Sequence, residues 1–119
     1  MFAKSLIILA SIILLSVETC NKGKDKQLPA CIQQMITSFK EKPLQNPPAS
    51  IYQYDYQGKR VYYVAAPCCD QMNILYDDQC NVLCHPDGGI TGKGDNKCAD
   101  FNAEKKNEEL IWKDERAGK

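Results

Sequence analysis

Seven cysteines among 119 residues constrain this chain more than any other feature. One lies at position 20, and the other six fall between residues 31 and 98. This density is typical of small exported domains, which use disulfides because their hydrophobic cores are too small to supply enough stability. An odd count leaves one thiol without an intramolecular partner, so we expect three disulfides and one cysteine with another role. The six predicted disulfide cysteines are Cys31, Cys68, Cys69, Cys80, Cys84 and Cys98.

The N-terminus has the pattern of a signal peptide. Lys4 supplies a positive charge, and residues 6–15 form an apolar run, LIILASIILL. The run is too short to span a bilayer, which needs about 20 apolar residues, but it matches the core of a signal peptide. A buried helix of the mature fold is the alternative, and it is disfavoured because polar residues follow at once. We predict a signal peptide over residues 1–19.

Cys20 is the cysteine to which we assign the different role. The stretch before it, LSVET, resembles a bacterial lipoprotein signal, in which aliphatic and small residues lead into a cysteine that is acylated. Glu18 and Thr19 depart from the small residues of that pattern, so an ordinary signal cleavage is the alternative. Lipidation of Cys20 leaves an even number of cysteines for disulfides. We therefore predict that a lipid on Cys20 holds the protein on a membrane.

The mature chain divides into a tether, one domain and a tail. Residues 20–27 are polar and rich in lysine, which predicts a tether without a packed core. Residues 28–114 are enough for one small domain. Residues 115–119 form a charged tail.

Periodicity within the domain predicts an α+β fold. Apolar residues recur at helical spacing between Pro29 and Pro43, which predicts one N-terminal helix. Two hairpins follow, at residues 51–65 and 73–84, and residues 109–113 predict a short closing strand. We expect the helix to pack on a small antiparallel sheet of four or five strands, formed from hairpins and stapled by disulfides.

Three tyrosines alternate along the first predicted strand. Tyr52, Tyr54 and Tyr56 therefore lie on one face of the sheet. They allow two interpretations: an exposed recognition surface, or packing beneath the helix with only their hydroxyls in water. We favour packing.

Geometry restricts the disulfide pairing without determining it. Cys80 and Cys84 lie four residues apart on a predicted strand, or about 13 Å, which is too far for a disulfide. Adjacent Cys68-Cys69 would form a strained ring, so we expect different partners for these two. We predict that Cys31 pairs with one of them, that the other joins the second hairpin, and that Cys98 closes the glycine-rich loop.

The segment Cys80-x-x-x-Cys84-His85 is the nearest approach to a cofactor motif. Covalent haem attachment uses two residues between the cysteines, whereas three stand here. A zinc site that adds Cys98 is also possible by residue type, but exported thiols normally oxidise. We predict no cofactor. A haem- or metal-binding electron-transfer protein that uses Cys80, Cys84 and His85 is the alternative.

Residues 87–95, DGGITGKGD, form a glycine-rich loop. Their spacing does not match a phosphate-binding loop, and the aspartates lack the spacing of an EF-hand calcium loop. Loops on a rigid scaffold commonly carry binding residues. We predict a candidate binding loop with contacts at Asp87, Thr91, Lys93 and Asp95.

Charge and composition argue against two classes of function. The chain has 15 basic and 15 acidic residues, whereas nucleic-acid binders usually show a basic excess. A single histidine in a cysteine-dense stretch leaves no Ser-His-acid or Cys-His set for nucleophilic catalysis. We therefore predict a non-enzymatic protein that binds no nucleic acid.

The cysteine spacing around the glycine loop also carries a family resemblance. The residues that carry it are Cys68-Cys69-Asp70, Leu75-Tyr76-Asp77, Cys80-Asn81, Cys84, Pro86-Asp87-Gly88-Gly89, Thr91-Gly92, Gly94-Asp95 and Cys98 to Phe101. With these residues, the range 28–114 resembles an uncharacterised family of small cysteine-rich domains carried by predicted bacterial lipoproteins. The resemblance implies export and lipid anchoring, and it implies no activity. We expect a binding or interaction module at the bacterial cell envelope, periplasmic or on the outer membrane, with an unknown protein or envelope ligand as partner.

Overall fold

The computed structural model describes residues 27–68 and 70–116. The predicted signal peptide, the predicted lipidation site Cys20 and Cys69 lie outside the described residues. Two helices and five strands make up the described chain. In order they are α1 (Ala30–Glu41), β1 (Ser50–Tyr56), β2 (Lys59–Val64), β3 (Ile74–Tyr76), β4 (Val82–Cys84), α2 (Phe101–Glu104) and β5 (Lys106–Lys113).

The N-terminal helix forms where the apolar spacing predicts it. Pro29 directly precedes α1, where its fixed φ suits a helix start and its missing N–H is not needed. The apolar stripe buries Ile32 completely. The helix ends at Glu41, just before Pro43, which cannot continue it.

All five strands form one antiparallel sheet in the order β4-β3-β2-β1-β5. Both predicted hairpins are present, and so is the closing strand, which begins at Lys106, three residues earlier than predicted. Gln57 and Gly58, with φ of 50° and 73°, make the two-residue turn of the first hairpin. Positive φ at both positions twists the turn in the sense that the strands require. The predicted α+β fold is confirmed.

The sheet has an apolar cluster on each face. On one face α1 packs over Ile51 and Tyr62, and Phe39 of the helix stacks on Trp112 of β5 with ring centres 5.8 Å apart. The other face is centred on Phe101, which is fully buried. The sheet is therefore covered on both faces. The predicted helix covers one of them, and the cover around Phe101 on the other face was not predicted.

The tyrosines of β1 pack into the core, but the prediction that they lie beneath α1 is wrong. Ile51 takes the helix side of β1, so strand alternation places the tyrosines on the opposite face. Tyr54 and Tyr56 are buried there, with ring centres 5.5 and 5.3 Å from that of Phe101. The helix α2, which carries Phe101, was not predicted, because its four residues are too few to show a helical period.

Two disulfides connect described residues. Cys84 pairs with Cys98 and closes the glycine-rich loop, as predicted. Cys31 pairs with Cys80, so the prediction that it joins Cys68 or Cys69 is wrong, and so is the prediction that one of those two joins the second hairpin. We also predicted that Cys80 lies on a strand. It lies instead in the β3–β4 turn at φ 60°, packed on the helix side of the sheet.

Cys68 is also disulfide-bonded, as predicted. The prediction that Cys69 forms a disulfide concerns a residue outside the described ones. These bonds indicate an oxidising, extracytoplasmic environment. No helix between residues 27 and 116, leaving aside position 69, combines the length and hydrophobicity needed to cross a bilayer.

Candidate functional site

Asp87 fastens the first end of the glycine loop to the sheet. One carboxylate oxygen accepts hydrogen bonds from the Tyr63 hydroxyl and the Asn73 side-chain amide, both at 2.7 Å. The other accepts one from the Asn102 amide at 3.0 Å. Burial tends to raise the pKa of Asp87, but the hydrogen bonds to its ionised form outweigh that effect and lower the pKa. Asp87 therefore ties together β2, the residue just before β3, and α2.

Asp95 fastens the other end of the loop to His85. One of its oxygens accepts the backbone N–H of His85 at 3.0 Å and lies 3.0 Å from Nδ1 of the same ring. The backbone N–H of Asp95 donates in turn to the His85 carbonyl oxygen at 2.9 Å. A hydrogen bond from the Lys97 backbone is the main cause that lowers the pKa of Asp95. These bonds lie beside the Cys84–Cys98 disulfide, so two kinds of link hold this end.

Two glycines allow the loop to approach the neighbouring backbone this closely. Gly88, at φ 82°, would bring an added Cβ within 2.9 Å of the Gln71 carbonyl oxygen. At Gly94, an added Cβ would overlap the His85 carbonyl oxygen. Both positions need a residue without a side chain, which explains why the loop is rich in glycine.

The tip of the loop is exposed, in contrast to its two ends. Ile90 is 88% exposed, and Thr91 and Lys93 are exposed as well. The four predicted contact residues therefore separate into two groups. Asp87 and Asp95 hold the loop in place, whereas Thr91 and Lys93 face solvent. Sequence reasoning missed Ile90, although an isoleucine between glycines in a polar loop was a signal that could have identified it.

The tyrosines near Phe101 are held by carboxylates. Burial, followed by the hydrogen bond to Asp100, raises the pKa of Tyr56 to about 12. The pKa values of Tyr54 and Tyr63 are raised for the same kinds of reason. These hydroxyls stay protonated near neutral pH and act as fixed donors within the fold. The three bonds run from Tyr54 to Glu108 at 2.6 Å, from Tyr56 to Asp100 at 2.6 Å, and from Tyr63 to Asp87 at 2.7 Å.

The alternative of a haem- or metal-binding protein requires free cysteine thiols beside His85. Cys80 and Cys84 belong to different disulfides, so neither offers a free thiol beside His85. Within the described part of the chain, no group of three or more His, Cys, Asp or Glu side chains could hold a metal ion. Asp87 and Asp95, considered as calcium ligands, use both of their carboxylate oxygens in hydrogen bonds within the protein.

The fold and the loop together define a class: a small, disulfide-stabilised α+β domain that presents a braced, glycine-rich loop. Residues 37–114 match a family described as a domain of unknown function, DUF6970. The chain belongs to that family, and the matched range contains every strand of the sheet and all of the loop attachments described above. No curated protein matches the chain, and no solved structure does.

Proposed function

We propose that this protein is an exported, lipid-anchored and non-enzymatic binding module of the bacterial cell envelope, which contacts its partner through the loop tip at Ile90, Thr91 and Lys93. The oxidising environment indicated by the disulfides supports export. The lipoprotein-like stretch before Cys20 supports the anchor. The even number of remaining cysteines supports it independently.

The observation that carries the binding role is the exposure of Ile90 on a loop that is fixed at both ends. Burying an isoleucine side chain contributes roughly 1.5–3 kcal/mol, and this side chain contributes almost none of that to the fold. Asp87, Asp95 and the Cys84–Cys98 disulfide hold the loop, so a partner would meet it already ordered. A preorganised loop loses little conformational entropy on binding.

Intact mass of the protein from the membrane fraction of its native host tests the export and the anchor. We expect a chain that begins at Cys20, carries acyl groups and gains six hydrogens on reduction. A mature chain with an unmodified Cys20 would refute the anchor. A haem mass would refute the disulfide framework.

A photo-crosslinking amino acid at position 90, introduced in the native host, tests the binding role. Leu44 is 43% exposed and belongs to the connection between α1 and β1, so the same substitution there is the matched control. We expect a discrete adduct from position 90 that is absent from position 44 and is reduced by Lys93→Glu. The absence of an adduct at 90, or an equal adduct at both positions, would contradict the role of the tip.

A further inference from the structure

A second exposed surface lies beside the C-terminal half of β5 and includes no residue of the glycine loop. Residues 110–116 and Lys40 line a groove of about 840 Å³. Its apolar part is Leu110, which is 50% exposed, together with the partly buried Ile111 and Trp112. An apolar surface with a tryptophan at its edge is suited to a partner that is itself part apolar and part polar.

The border of this groove carries a small positive excess. Lys40 and Lys113 are exposed, while the third cation, Arg116, is bound to Asp114 with a shortest N–O distance of 2.7 Å. Asp114 is 3% exposed, so Arg116 neutralises a buried carboxylate. With Glu115 as the remaining acid, the groove has three cations and two anions. Its charge favours an anionic partner.

The shape of β5 argues against another strand as the occupant. The pairing of β5 with β1 shifts register twice, and Asn107 has a φ of 55°. Such irregularities twist an edge and interrupt its row of hydrogen-bonding groups. An added peptide strand or a second copy of β5 would need a regular edge. A fluid layer of lipid headgroups can contact β5 without a regular strand edge.

The anchor keeps the domain close to such a surface. Gln27, where the described chain begins, is only seven positions after Cys20, and seven extended steps of the chain span at most about 25 Å. The helix α1, with 12 residues, is about 18 Å long and ends near the groove at Lys40. A lipid on Cys20 can therefore lie in the same membrane surface that the groove would touch.

We propose that the groove formed by Leu110, Trp112, Lys40 and Lys113 rests on the anionic phospholipid headgroups of the membrane that holds Cys20. This inference rests on the proposed lipid anchor, and it adds an orientation of the domain. Tryptophan favours the membrane–water interface, and lysine side chains near an anionic bilayer add attraction. Docking through β5 would fix which part of the domain faces away from the membrane.

Quenching of Trp112, the only tryptophan in the chain, tests the contact directly. The full lipidated protein is reconstituted in vesicles of phosphatidylcholine alone or mixed equally with phosphatidylglycerol, each with a lipid brominated near the headgroup. We expect strong quenching only in the anionic vesicles, and weaker quenching as salt is added. Neutralising one lysine should lower the equilibrium constant for docking about five-fold. The double variant Lys40→Gln/Lys113→Gln should therefore lower this constant about 25-fold.

The double variant Lys59→Gln/Lys97→Gln makes the same charge change at two exposed lysines outside the groove. We expect it to retain quenching, and an equal loss in both double variants would overturn the inference. Equal or absent quenching in the two vesicle types would also overturn it. Intact mass separates this result from a failed anchor. If Cys20 is not acylated, quenching by added anionic vesicles still supports the groove contact, and its absence refutes it.

Discussion

Removal of the Cys31–Cys80 disulfide measures how much the link between α1 and the second hairpin stabilises the domain. The two cysteines are 49 residues apart, and Cys84 and Cys98 are 14 apart. The loss of chain entropy in the unfolded state then corresponds to about 4 kcal/mol for the first bond and about 3 kcal/mol for the second. The two closed loops do not overlap in sequence, so we treat these contributions as independent.

Cys31→Ala/Cys80→Ala should therefore lower the free energy of unfolding by about 4 kcal/mol. This is a large part of the roughly 5–15 kcal/mol that holds a typical domain together. Because the side chains of Cys31 and Cys80 are only partly buried, little of the loss should come from removed packing. The chain would remain folded but would unfold at a much lower urea concentration.

Urea unfolding without reductant, followed by Trp112 fluorescence, is the appropriate assay. Trp112 stacks on Phe39 of α1, so its emission reports whether the helix is docked on the sheet. Thr37→Ala/Gln79→Ala changes exposed positions of the same helix and turn, and it should alter stability by less than about 1 kcal/mol. A loss below about 1 kcal/mol for the disulfide variant would refute the chain-entropy argument.

Three further perturbations test the core and the loop. Phe101→Ala should cost about 3–5 kcal/mol in urea unfolding, because the ring is fully buried; a loss below about 1 kcal/mol would contradict that packing. Gly94→Ala should lower the melting temperature more than Gly92→Ala. Both have positive φ, but only Gly94 faces backbone atoms, so equal losses would argue against the close approach. Because folding lowers the pKa of Asp87, its carboxylate stabilises the fold at pH values above about 4, the ordinary pKa of aspartate. This stabilisation is lost as the pH falls through the lowered pKa. Asp87→Asn should flatten the acid limb of stability against pH, and an unchanged limb would refute the carboxylate's role.

The elements that could be predicted from the sequence are those with a clear period or a turn signal. The apolar stripe of α1, between Pro29 and Pro43, and the Gln57-Gly58 hairpin depend on residues close together in the chain. Their local preferences agree with the final fold, so sequence alone was enough.

What could not be predicted depends on contacts between distant residues. Cys31 and Cys80 meet because the β3–β4 turn lies under α1, which no local pattern reveals. The part that Asp87 plays in holding the loop could not be predicted, because its donors, Tyr63 among them, come from other elements up to 24 residues away. The loop itself was identified, but the division between its bound ends and its exposed tip required the structure.

The position of β1 in the sheet has a consequence for the order of events after synthesis. β1 lies between β2, its immediate successor in the chain, and β5, the last of the described strands to be made. A chain that emerges with its N-terminus first can form the β1–β2 hairpin early, but the other edge of β1 waits for residues 106–113. Trp112 then reaches Phe39, and Arg116 donates to the carbonyl oxygens at the end of α1. The sheet and the attachment of α1 are thus completed only after residues 106–116 have been made.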